Sequence, residues 1–173
     1  YVPNRAARTL VTRRTDTVAL VVSESEQRVF DEPYFAGVIR GIGTALSETG
    51  LQLILAMAQT REEHARLEQY LSGQHVDGVM LISLHGADPL PGRLEEMGVP
   101  TVVGGRPVGI TPYSYVDMDN RAGARQAVKY LIGKGRRRIA TIAGPQDMGV
   151  GVDRLAGYRD ALIATGVPEC VAF

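Results

Sequence analysis

The sequence predicts a doubly wound α/β fold, an open parallel sheet with helices on both faces. Three observations carry this. Apolar, β-branched runs alternate with stretches of helical periodicity along most of the chain. The intervening stretches have the length of helical crossovers, which parallel strands require. The runs are apolar at consecutive positions, as in strands buried on both faces.

The elements follow in order. "TVALVV" (Thr17–Val22) is the first strand, and a polar loop follows it. From Pro33 to Thr49, Phe35, Val38, Ile39, Ile42, Ala45 and Leu46 share one helical face, and Gly50 stops the helix. "LQLILAM" is the second strand. Thr60 caps the next helix, with Glu62 and Glu63 at its positive end and Leu67, Tyr70 and Leu71 on its apolar side. "DGVMLIS" is the third strand, a short helix carries Leu90, Leu94 and Met97, and "PTVVGG" is the fourth strand. A short extended segment is expected over Tyr113–Asp119. Asp119 or Asn120 then caps a helix to about Lys134, with Ala127, Val128, Leu131 and Ile132 inward. "RRIATIAG" (Arg137–Gly144) reads as another buried strand. A glycine-rich loop and a helix over about Gly151–Thr165 complete the pattern.

The first stretch is different. In "YVPNRAARTL", Pro3 suits a first helical position and Ala6 and Ala7 favour helix, but little is offered for burial. Arg5, Arg8, Arg13 and Arg14 crowd it, although nineteen basic and nineteen acidic side chains cancel over the 173 residues. The charge asymmetry therefore sits at the start of the chain. Apolar residues make up 45% of the chain, enough for a packed core. A single cysteine, Cys170, excludes an internal disulfide framework and fits a reducing compartment, so a cytoplasmic location is expected. No apolar run reaches the roughly 20 residues that span a bilayer, so no membrane partner is expected.

Open α/β sheets bind ligands at the carboxyl ends of their strands. The loops there offer little for catalysis. "GIGTAL" lies inside a helix and lacks the third small residue of a dinucleotide fingerprint. "GPQDMGVG" has phosphate-loop spacing, but Val150 and Gly151 stand where Lys and Ser/Thr would hold phosphate and magnesium. His64, His75 and His85 are isolated, Cys170 has no nearby histidine, and no G-x-S-x-G elbow occurs. No enzyme activity, metal or cofactor is expected.

Binding is better supported. In "DEPYFAG", Tyr34 and Phe35 open a helix just beyond the first strand, where aromatic faces suit a sugar or base ring. Phe35 also begins the apolar stripe and reads equally as core, which leaves Tyr34 as the exposed ring. Arg154 is placed in the first turn of the last helix, where it opposes the helix dipole. Its guanidinium either donates to ligand hydroxyls or a carboxylate, or pairs with Asp153 or another acid. Asp119 is a ligand acceptor or, more often for such a residue, a helix cap.

These stretches together resemble the lactose-repressor (LacI/GalR) family of bacterial transcription regulators. "YVPNRAARTL" looks like that family's hinge helix. "DEPYFAGVIRGI", "VDGVMLIS", "VPTVVGGR", "VDMDNRAGARQAVKYLIGKGRRRIATIAGP" and "DRLAGYRDAL" follow its order and spacing. The resemblance implies a periplasmic-binding-protein-like core divided into a hinge at 1–15, a first lobe at 16–134 and the start of a second at 135–173. Family members carry a helix-turn-helix headpiece before the hinge and continue beyond this point of the second lobe, so the chain is expected to lack part of both functions.

The resemblance also implies roles. Hinge helices fold when a dimer sits on operator DNA, and an apolar wedge kinks the minor groove. By position Leu10 is that wedge, and Asn4 and Arg5 contact the DNA. Without DNA the hinge is expected to be disordered. Tyr34, Phe35, Asp119 and Arg154 match positions that face effector or cap the lobe junction. Met148 and Val150 replace an arginine and a threonine of the purine-responding branch, which favours a sugar. The expected function is then an effector-sensing repressor domain. A small molecule bound between the lobes changes their arrangement in a homodimer, whose interface includes the helix after Pro33 or the one after Thr60, and operator affinity follows. Two alternatives remain: a solute-binding protein of a sugar transporter, which has no use for "NRAARTL", and a nucleotide-dependent enzyme, which needs a fingerprint absent here.

Overall fold

The computed structural model describes residues 14–108, 113–169 and 171–172. Asn4, Arg5 and Leu10, with the rest of the expected hinge helix, lie outside them, as does Cys170. The elements are β1 (Thr17–Val22), α1 (Glu26–Asp31), α2 (Pro33–Leu46), β2 (Gln52–Met57), α3 (Arg61–Ser72), β3 (Gly78–Ile82), α4 (Leu90–Glu96), β4 (Thr101–Gly104), β5 (Tyr115–Val116), α5 (Asn120–Gly133), β6 (Thr141–Ile142), α6 (Gly149–Ile163) and β7 (Val171–Ala172). The chain forms two compact units. The first runs to Leu84 and includes Asp88–Gly104; the second holds His85–Ala87 and the chain from Gly105 onward.

The first unit is built on parallel strands in the order β2-β1-β3-β4. β1 lies between two neighbours and is covered on both faces: Ala19, Leu20, Val21 and Val22 are all buried, which is why its sequence is continuously apolar. On one face Leu20, Val22 and Ile82 pack with Phe35, Val38, Ile39 and Ile42, the stripe expected on α2. Register brings the ends of three strands level, with Val22 opposite both Met57 and Ile82. Ser23, Ala58 and Ser83 therefore stand side by side at the carboxyl edge. Thr60 caps α3 as expected. Its hydroxyl accepts from Glu63 N–H at 3.2 Å while the Glu63 carboxylate accepts from Thr60 N–H at 3.0 Å.

At the opposite end of the sheet, Asp77 ties in the start of the described chain. Its carboxylate accepts from Thr15 N–H at 2.7 Å, the Thr15 hydroxyl at 2.9 Å and Asp16 N–H at 3.0 Å. Burial alone would raise its pKa. The hydrogen bonds from Thr15 and Asp16 outweigh that and hold it below the ordinary 3.8. A carboxyl lowered in the folded state stabilises the fold above its ordinary pKa, and that stability is lost as pH falls through the lower, folded value. Asp77→Asn, which keeps the shape but loses an acceptor, is expected to cost about 1 kcal/mol at pH 7. The gap between variant and parent in thermal melts then narrows as pH drops below 4. A gap that is constant from pH 7 to pH 2.5 overturns this account.

The second unit packs α5 on α6. Val128, Leu155, Tyr158, Ala161 and Leu162 form its core with Ile139, Ala143 and Val167, and Ile132 packs against them. The Tyr158 hydroxyl donates to Ile139 O at 2.9 Å. Gly157 lies so close to α5 that a Cβ there would overlap the Arg121 carbonyl oxygen and come within 3.1 Å of Ala124 Cβ. Beside this crossing, the Arg121 guanidinium donates twice to Asp160, at 2.7 and 2.9 Å. These bonds hold the Asp160 carboxyl below its ordinary range.

Several expectations need correction. The polar stretch after β1 contains α1, capped by Ser25, whose hydroxyl accepts from Arg28 N–H at 3.2 Å. Its only buried residue is Val29, so it carries no periodic apolar signal. Arg137–Gly144 is not a continuous buried strand. Only Thr141–Ile142 pairs, with β7, and Ile142 is 87% exposed. Ile139 and Ala143 turn inward, so among the described residues this segment is covered on one face only. On α5, Ala127 and Leu131 face out, because contact with α6 runs along the narrow stripe Arg121, Ala124, Val128 and Ile132. That packing groups α5 with the second unit. α6 begins at Gly149, ahead of the expected Gly151.

Candidate functional site

The carboxyl edge of the first unit carries the first set of groups. Pro33 takes the opening position of α2, which leaves Tyr34 in its first turn, half exposed at 50%. Phe35 is 2% exposed and sits in the core with Leu20 and Val22, so of its two readings the structure takes the packing one. The rings meet edge to face at 5.2 Å, which fixes the orientation of Tyr34 from beneath.

Next to them lies a buried acid that the sequence reading passed over. Glu24 follows β1 and is 8% exposed. Its carboxylate accepts from the Ser83 hydroxyl at 2.6 Å and lies 3.0 Å from Arg28 Nη1. Arg28 Nε donates to Glu32 at 2.7 Å, and this bond, with the nearby acids, raises the arginine's pKa. Ser83 adopts φ +60°, a left-handed conformation that a side chain occupies at some cost. The Ser23 Oγ is buried, with no hydrogen-bond partner among the described residues. The legible signal was the polar "SES" directly after a fully apolar strand.

The second unit carries a separate set. Asp119 caps α5, its side chain accepting from Ala122 N–H at 2.8 Å. Asn120, buried, donates through Nδ2 to Asp117 Oδ1 and Met118 O, each at 3.0 Å. Its Oδ1 accepts from Arg154 Nε at 3.1 Å. Asp153 pairs with Arg106 instead, a bond that raises the Arg106 pKa. Because α6 starts at Gly149, Arg154 lies in its second turn, where opposition to the dipole has largely faded. The guanidinium is thus oriented through Nε, and its terminal amino groups remain as donors in a planar fork.

The glycines that open α6 serve close packing. A Cβ at Gly149 would overlap Arg106 O, and one at Gly151 would overlap Pro145 O. His85 Nδ1 lies 3.0 Å from Asp147 in the same unit, and the His75 ring stacks on Tyr70 at 4.8 Å. Among the described residues no three His, Cys, Asp or Glu side chains gather as a metal site. No helix there is long and apolar enough to cross a membrane.

Comparison with known proteins places these features. The profile of periplasmic binding proteins and the sugar-binding domain of the LacI family matches residues 15–171. The chain belongs to the LacI family. This LacI-family chain is 64% identical over 169 residues to the HTH-type transcriptional regulator CelR of Thermobifida fusca, covering 96% of the chain and 50% of that protein. It is 33% identical over 164 residues to MalR of Streptococcus pneumoniae, covering 94% of the chain and 49% of that protein. A solved structure described as a transcriptional regulator CelR–cellobiose complex superposes with a TM-score of 0.87 at 56% identity, over 99% of this chain and 52% of that one. The LacI-family chain therefore spans about half the length of the relatives it matches. The open parallel α/β sheet expected from sequence is the fold of this family, and the relatives are transcriptional regulators.

Proposed function

We propose that the complete protein is a transcriptional regulator whose core senses a neutral sugar, with cellobiose the first candidate, and converts binding into a change of operator affinity. The observation that carries this is the 64% identity to CelR over nearly the whole chain, together with the cellobiose complex of a structure 56% identical to it. The site residues agree in chemistry. Tyr34 offers an exposed ring face for a pyranose, and Arg154 offers oriented donors for sugar oxygens. Asp119 serves first as the cap that sets the start of α5 and with it Asn120. Phe35 acts through Tyr34. Operator DNA is the second partner, reached through Asn4, Arg5 and Leu10 of the hinge and a headpiece like those of the relatives. A cytoplasmic homodimer, with α2 or α3 in its interface, completes the proposal.

The test is a titration of the complete protein with cellobiose, maltose and hypoxanthine, followed by operator binding at fixed salt with and without the sugar. Cellobiose is expected to bind, and to change operator affinity by about tenfold or more, the range of ordinary allosteric coupling. Failure of cellobiose to bind, or binding that leaves operator affinity unchanged, overturns the reading.

A further inference from the structure

The buried Glu24 carboxylate has a cost that needs an explanation. A charge held away from water is unfavourable unless it is paired and hydrogen-bonded, and an apolar residue of the same size would fill the space without that cost. Here the charge is compensated from two sides. Ser83, at the end of β3, donates its hydroxyl proton to Glu24, and Arg28 of α1 bridges Glu24 to Glu32. Glu32 is the cap position of α2, yet its side chain makes no capping bond; it is turned to Arg28 instead. One connected chain of side chains thus runs from the end of β3, across the end of β1, to the residue before Pro33 and Tyr34. Ser83 makes this bond from a left-handed backbone, φ +60°, that a side chain occupies at some cost.

We propose that Glu24 is a positioning residue of the effector site, fixing the Ser83 hydroxyl and the start of α2 so that a sugar meets a preformed edge. This rests on the sugar-sensing function proposed above. Its chemical consequence is directional. With its own proton committed to Glu24, Ser83 Oγ meets a ligand as an acceptor. The stretch from residue 24 to residue 32 holds four acids and a single arginine, and that arginine is already paired with Glu24 and Glu32. Such an edge suits hydroxyl groups that donate, and it disfavours phosphorylated sugars.

The experiment uses the complete protein and isothermal titration with cellobiose for the parent, Glu24→Gln, Ser83→Ala and the double variant, each with its melting temperature. Glutamine keeps the volume but removes the charge and replaces one of the two acceptor oxygens with a donating amide nitrogen. Glu24→Gln and Ser83→Ala are each expected to weaken cellobiose binding about tenfold, and the double variant to be no weaker than the worse single one, because both break the same link. If Glu24→Gln fails to fold, Ser83→Ala alone carries the test, since it removes the link without burying a new group. Full additivity in the cycle, or parent-like affinity in Ser83→Ala, overturns the proposal. An unchanged affinity in the variants refutes this positioning role alone. A parent that does not bind cellobiose refutes the sugar-sensing reading and this proposal with it.

Discussion

Gly157→Ala is expected to loosen the second unit while leaving the first intact. The new Cβ would overlap the Arg121 carbonyl oxygen and lie 2.9 Å from its carbon. Backbone cannot rotate aside as a side chain can, so α6 must move off α5. Leu155, Tyr158 and Leu162 then lose their fit against Val128. Overpacking of this kind costs about 3 kcal/mol, the upper end of the usual range. For a domain of this size that is a fall of roughly 6–12 °C in melting temperature. Hydrogen exchange should rise in α5 and α6 and stay unchanged in β1 and β3. The control is Gly123→Ala, on an open part of α5. There the same atom meets nothing and removes only the flexibility of glycine, for a gain of about 0.5–1 kcal/mol. Equal effects at the two glycines would refute the close-crossing account.

Arg154→Met is expected to weaken cellobiose binding by about 10–100-fold, with a fall of a few degrees in melting temperature because the buried Asn120 Oδ1 loses its donor. Methionine keeps much of the stem and removes the fork. Hydrogen bonds to a charged donor are worth about 1.5–3 kcal/mol each when their partner is left bare, and each 1.4 kcal/mol is a factor of ten. Lysine is not expected to rescue, because a single ammonium cannot reproduce a planar pair of donors. Asn120→Ala should weaken binding less, about tenfold, since it frees Nε while leaving the guanidinium in place. Calorimetric titration of the complete protein reads all of these. An affinity within twofold of the parent in Arg154→Met would remove that side chain from the site.

The strands were legible wherever burial is two-sided. "TVALVV" is apolar at every position after Thr17 because β1 has neighbours on both edges and cover on both faces. The same rule misled at Arg137–Gly144, where the apolar residues alternate around Ile139 and Ala143. α1 was invisible because its one buried side chain gives no period. Of the candidate residues, Tyr34 and Phe35 are neighbours in sequence, and only packing divides them into an exposed ring and a core ring. The partner of Arg154 was not legible. Asn120 lies 34 residues away, and Asp153, the nearest acid in sequence, is taken by Arg106. Glu24 was overlooked for a related reason: its meaning lies in Ser83, 59 residues distant. Local pattern reveals elements, whereas polar pairs that cross between elements become visible only in three dimensions.

Asp77 has a mechanical consequence. The chain enters β1 through Thr15 and Asp16, and both are held by a carboxylate that precedes β3, whose own N–H donates to Thr17 O at 2.7 Å. Tension applied to the chain upstream of Thr15 would therefore load two adjacent strands in shear instead of unzipping one from its edge. A segment attached there pulls on the sheet as a whole.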